Sequence, residues 1–80
     1  MQILYTIKSG KNAGVVCAPH KTKNGTYIVS HTRFKEDYVE VGSFEEIKNH
    51  LDKGFKVRMS GISQSTAPSL VSKDSLEIIN

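Results

Sequence analysis

The chain has no tryptophan, one cysteine (Cys17) and two prolines (Pro19 and Pro68) in 80 residues. A single cysteine cannot close an internal disulfide, and a lone thiol suits a reducing compartment. Two prolines and six glycines are too few for a collagen-like or low-complexity chain. No apolar run approaches the roughly 18 residues of a membrane-spanning helix. Near the N-terminus Tyr5 and Thr6 interrupt, and Lys8 ends, the only stretch a secretory signal could use. These absences point to a cytoplasmic protein with no membrane partner. The length allows one domain, residues 1–80, and leaves no room for a second core.

The most informative absence is of acid. Residues 1–35 contain no Asp or Glu, yet hold Lys8, Lys11, Lys21, Lys23, Arg33 and Lys35. Residues 36–80 hold five bases and all eight acids, so the formal charge of +3 conceals a basic first half.

What is present reads as strands and one helix. Ile3, Tyr5 and Ile7 alternate along residues 2–8, the period of a strand. Residues 15–23 form a second strand pattern. It contains Pro19, which has no N–H for a ladder and so marks an edge or a bulge. Asn24-Gly25 is a strong hairpin signal, because a type I′ turn needs positive φ at both central positions. Although Asn24-Gly25-Thr26 matches a glycosylation acceptor, without a secretory signal it reads as this turn. Residues 26–34 are the return strand, and Tyr38–Val41 a short fourth one. Ser43 and Glu46 have capping-box spacing, Phe44, Ile47 and Leu51 make an apolar stripe, and Gly54 stands where a helix ends. Residues 55–59 alternate Phe55, Val57 and Met59 against Lys56 and Arg58, a fifth strand. Ser60–Ser69 is a hydroxyl-rich loop, long for a compact domain and therefore a candidate functional segment. Leu70-Val71 and a last strand over 76–79 close the chain. The order β-β-β-β-α-β predicts an α+β fold: a mainly antiparallel sheet of about five strands with one helix on one face.

A two-residue turn at Asn24-Gly25 sets a register by counting outward. Thr22 then faces Tyr27, His20 faces Val29, and Ala18 faces His31. This places Tyr27, His31, Arg33 and His20 on a solvated face, and Cys17, Ile28 and Phe34 toward the core. Lys21 and Lys23 sit on the same hairpin, and Lys56 and Arg58 extend the basic surface across the sheet. These eight residues, Tyr27, His31, Arg33, His20, Lys21, Lys23, Lys56 and Arg58, are the candidate binding surface.

No catalytic or metal pattern competes with it. Cys17-x-x-His20 invites a zinc reading, but strand alternation sends the two side chains to opposite faces. Glu45 and Glu46 diverge on a helix and serve its N-terminus. Gly10-Lys11 lacks the spacing of a phosphate-binding loop. The expectation is a non-enzymatic binding module with neither metal nor cofactor. In size, build and lack of catalytic pattern, the chain resembles the accessory proteins of phages and mobile elements. These include anti-CRISPR proteins, short binders that block a host nuclease complex. The resemblance attaches to no particular residue. It implies an inhibitor or modulator whose partner is a host protein complex, one that handles nucleic acid. The basic first half argues against an acidic DNA mimic. The alternative is direct nucleic-acid binding, with phosphates neutralised by Lys and Arg and bases stacked on aromatics.

Overall fold

A computed structural model describes residues 4–61 and 69–79. Its elements run β1 (Tyr5–Ile7), β2 (Val16–Pro19), β3 (Tyr27–Ser30), a 3-10 turn (Lys35–Asp37), β4 (Val39–Val41), α1 (Phe44–Asp52), β5 (Lys56–Ser60), β6 (Ser69–Ser72), a second 3-10 turn (Lys73–Ser75) and β7 (Leu76–Ile78). The fold is α+β: among the described residues, one antiparallel sheet of seven strands, two more than about five, with a single helix packed on it. Most of the candidate loop, residues 62–68, lies outside the described residues. No described helix is long and apolar enough to cross a membrane.

The helix forms where its caps specify. The Ser43 hydroxyl accepts the Glu46 N–H at 3.2 Å, and Ile47 and Leu51 are buried. At the other end, the Phe55 N–H bonds to the His50 carbonyl and the Gly54 N–H to the Leu51 carbonyl, both at 3.0 Å. This is a Schellman closure, and it requires the positive φ of Gly54 (95°). Phe55 packs edge-on against His50 at 4.9 Å, the apolar contact that accompanies such a closure.

The sheet departs from the expected hairpin. The chain does turn at Asn24-Gly25, but only Gly25 has positive φ and its N–H donates to the Thr22 carbonyl at 2.9 Å, so the turn is not the type I′ expected, and β2 and β3 do not pair with each other. Instead they lie end to end on one edge of β5. Ala18 and Pro19 face Ser60 and Met59, and Val29 and Ser30 face Val57 and Lys56. The physical reason lies in the loop between them. The Thr22 hydroxyl accepts the N–H groups of both Asn24 and Thr26 at 3.2 Å, and the Thr22 N–H donates to the Thr26 carbonyl at 2.8 Å. Side-chain bonds to the backbone close this small loop at Thr22–Thr26, and β5 takes both strands beyond it. Pro19 fits because the backbone of its neighbour His20 is turned toward β5, donating to the Arg58 carbonyl at 2.8 Å. Alternation then directs the Pro19 nitrogen away from that ladder.

The 3-10 turn after β6 bends the sheet. Hydrogen bonding runs β6-β5-β2-β1-β7. Five strands laid flat would hold the outer two about 19 Å apart, at about 4.8 Å per step. A 3-10 turn rising about 2 Å per residue covers less than half of that between Ser72 and Leu76. The sheet therefore curls. Inside the curl Tyr5, Cys17, Val29, Val57, Met59 and Leu76 join Ile47 and Leu51 of α1 in one core.

Two stability outcomes follow. Leu51→Ala should cost about 2–5 kcal/mol in urea unfolding, as a core truncation. Gly54→Ala should cost about 1–2 kcal/mol, because alanine resists the left-handed backbone that the Schellman closure needs.

Candidate binding surface

Alternation along β5 sends Val57 and Met59 into the core, both fully buried, and Lys56 and Arg58 to the opposite face. Register brings Ser30 and Ser72 beside Lys56, and Leu70 beside Arg58. The chain after β3 then folds back over this face. The Ser30 hydroxyl donates to the Thr32 carbonyl at 2.8 Å, the Thr32 hydroxyl to the Asp37 carboxylate at 2.6 Å, and the Phe34 N–H to the Thr32 hydroxyl at 3.1 Å. These bonds brace residues 30–37 and present Arg33. The 3-10 turn at Lys35–Asp37 returns Tyr38, whose hydroxyl donates to the Arg33 carbonyl at 3.5 Å. The Arg58 guanidinium lies 6.0 Å from the centre of the Tyr38 ring, at the limit of a cation–π contact.

Arg33, Tyr38, Lys56, Ser69 and Leu70 line a concavity of about 390 Å³. No carboxylate is among them. Among the described residues the one ion pair is Lys73–Asp52 at 2.6 Å, on another part of the molecule, so Arg33, Lys56 and Arg58 keep their charge unneutralised. The concavity is therefore positively charged.

Of the eight sequence candidates, Arg33, Lys56 and Arg58 come together here. His20 is half-buried, its backbone bonded to Arg58. Lys21, just before the Thr22–Thr26 loop, and Lys23, within it, are exposed. His31 is exposed but stacks on Phe55, with ring centres 3.8 Å apart. Tyr27 is a correction: it is buried, with its ring 5.2 Å from Phe44, and belongs to the core. The expected face rested on pairing with β2. The actual partners of β3 are Val41 opposite Tyr27 and Val57 opposite Val29, both core residues, and they turn Tyr27 inward. Ile28, expected in the core, lies on the opposite face and is buried there as well. Phe34, also expected inward, is 64% exposed.

The sequence pointed to Ser69 only as the end of the hydroxyl-rich Ser60–Ser69 segment, and not to Tyr38 or Leu70. Tyr38 arrives through a 3-10 turn with no local signature, and Ser69 and Leu70 through a β5–β6 register between distant segments. Cys17 is buried as expected, and the alternation that buries it places His20 on the other face. Among the described residues no three His, Cys, Asp or Glu side chains gather closely enough to hold a metal ion. The chain matches no known protein family, no curated protein and no solved structure.

Burial pushes the Cys17 thiol above its ordinary pKa. It does the same to the Tyr5 phenol, with the neighbouring thiol adding to the shift. Both groups are neutral when protonated, so a raised folded pKa stabilises the fold fully below the ordinary value. That contribution is lost as pH rises through the folded one. Urea midpoints should therefore fall as pH climbs past about 9, and Cys17→Ala should flatten the part of the decline due to the thiol. The same burial should make Cys17 alkylate far more slowly in the native protein than in denaturant at pH 8, measured by mass shift.

Proposed function

We propose that this protein is a non-enzymatic binding module that engages an acidic surface on a protein complex of its host. The supporting observation is the concavity beside Arg33 and Lys56, flanked by Arg58 on Tyr38 and free of any lining carboxylate. Arginine and tyrosine are the residue types that concentrate binding energy at interfaces. The backbone at Arg33 and the Tyr38 side chain are tied by hydrogen bonds before any partner arrives, which lowers the ordering cost of association.

An acidic protein is favoured over nucleic acid by the aromatic inventory of the face. Tyr27 is in the core, Tyr38 is half-buried with Arg58 near its ring, and the one exposed aromatic of the neighbouring bend, Phe34, is not among the residues that line the concavity. The surface offers guanidinium and ammonium groups rather than an open platform for stacked bases, on which single-strand recognition depends. Charge at such a contact steers association and selects the partner.

The experiment is affinity capture from the host of the tagged protein and of an Arg33→Glu/Arg58→Glu variant. The wild type should retain a specific acidic protein that the variant loses. Arg33→Ala should move unfolding stability by no more than about 0.5 kcal/mol, being an exposed substitution. Titration with labelled oligonucleotides at two salt concentrations is the counter-test. Tight binding that collapses with salt would replace this reading with the nucleic-acid one.

A further inference from the structure

The other side of the molecule carries a second, unrelated feature. Strand β7 pairs with β1 alone among the described residues. The Lys8 N–H donates to the Ser75 carbonyl at 2.9 Å, and the Ile79 N–H to the Leu4 carbonyl at 3.1 Å. Residues 75, 77 and 79 thus turn their backbones to β1, and alternation directs the N–H and C=O of Ile78 outward, away from the sheet. Natural edges are blunted by shortness, charged side chains, proline or a bulge. Strand β7 is short and carries Glu77, but Leu76-Glu77-Ile78 has no lysine, proline or bulge, and Ile78 and Ile79 remain 47% and 46% exposed.

Beside this edge, a groove of about 310 Å³ separates β7 from α1. Tyr5, Leu51, Leu76 and Ile78 give it an apolar lining, and the first three belong to the core. Its volume is at the bottom of the roughly 300–1,000 Å³ range of small-molecule sites. That suits a large side chain better than a whole ligand. The charged residues around it are Lys8, Lys48, Lys73, Asp52 and Glu77. Lys73 and Asp52 neutralise each other, leaving two ammonium groups against Glu77.

We infer that the groove between α1 and β7 takes an extended segment of a partner protein as an added strand. The strand bonds to the Ile78 backbone, seats one apolar side chain over Leu51 and Leu76, and sets an acidic residue near Lys8 and Lys48. Strand addition at an open edge draws affinity from main-chain bonds and specificity from a side-chain pocket. A second copy of this chain fits less well. Two-fold pairing of β7 with itself would bring a second α1 to the side of the sheet where the first already lines the groove.

The test uses the full chain and a randomised linear peptide library displayed on phage. Enriched peptides should carry an apolar residue next to Asp or Glu. Their binding should slow amide exchange at Ile78, a signature of strand addition that burial of a side chain alone does not produce. Ile78→Lys and Lys48→Glu replace exposed residues, so circular dichroism should show both folded, and each should weaken binding by about tenfold. Arg33→Glu, on the opposite face, should leave it unchanged, which separates this site from the one under Proposed function. Absence of enrichment, unchanged exchange at Ile78, or full binding by Ile78→Lys would overturn the inference.

Discussion

Strand β5 is hydrogen-bonded along both edges, and the rest of the molecule is arranged by that fact. One edge carries β6 from Lys56 to Met59. The other is divided between β3 and β2. Val57 and Met59 are fully buried because strands on both sides and α1 enclose them. Buried backbone groups must be paired, and a central strand with three partners satisfies that requirement in a chain of 80 residues. The separation of β2 from β3 is the consequence. Both strands need the same edge of β5, and the Thr22–Thr26 loop is where the chain leaves that line and returns to it.

The same strand produces the basic surface. A period of two cannot bury Val57 and Met59 without presenting Lys56 and Arg58 on the other face. The curl of the sheet and the 30–37 bend then add Arg33, Tyr38, Ser69 and Leu70 to those cations. The result is a concave, positively charged surface on one side. The helix and the second 3-10 turn leave a mainly apolar groove on the other. The two features share no lining residue, so substitutions can address them separately.

Local chemistry was legible where it acts over a few residues. The Ser43 cap, the Ile47–Leu51 stripe, the Gly54 stop and the alternation of residues 55–59 all appear as read. The α+β class and the outward placement of Lys56 and Arg58 follow from them. The face of β3 was not legible in the same way. All four of its residues are buried, so neither face is polar enough for periodicity to mark the inside. The turn at Asn24-Gly25 predicts faces for Tyr27 and Ile28, but its two strands find other partners. The concavity was half visible: its cations could be read, but its walls come from segments whose registers depend on β5.

The sequence by itself determined the one helix with its caps, the antiparallel class of the sheet and the concentration of positive charge in the first 35 residues. Only the tertiary structure decided which strands meet, and therefore that Tyr27 faces inward and Arg33 joins Lys56 and Arg58. The reason is physical. Capping and alternation are settled by bonds and contacts within a turn or a strand. Strand partners are instead chosen by competition among segments far apart in the chain, and here β5 takes β6 on one edge and β3 with β2 on the other.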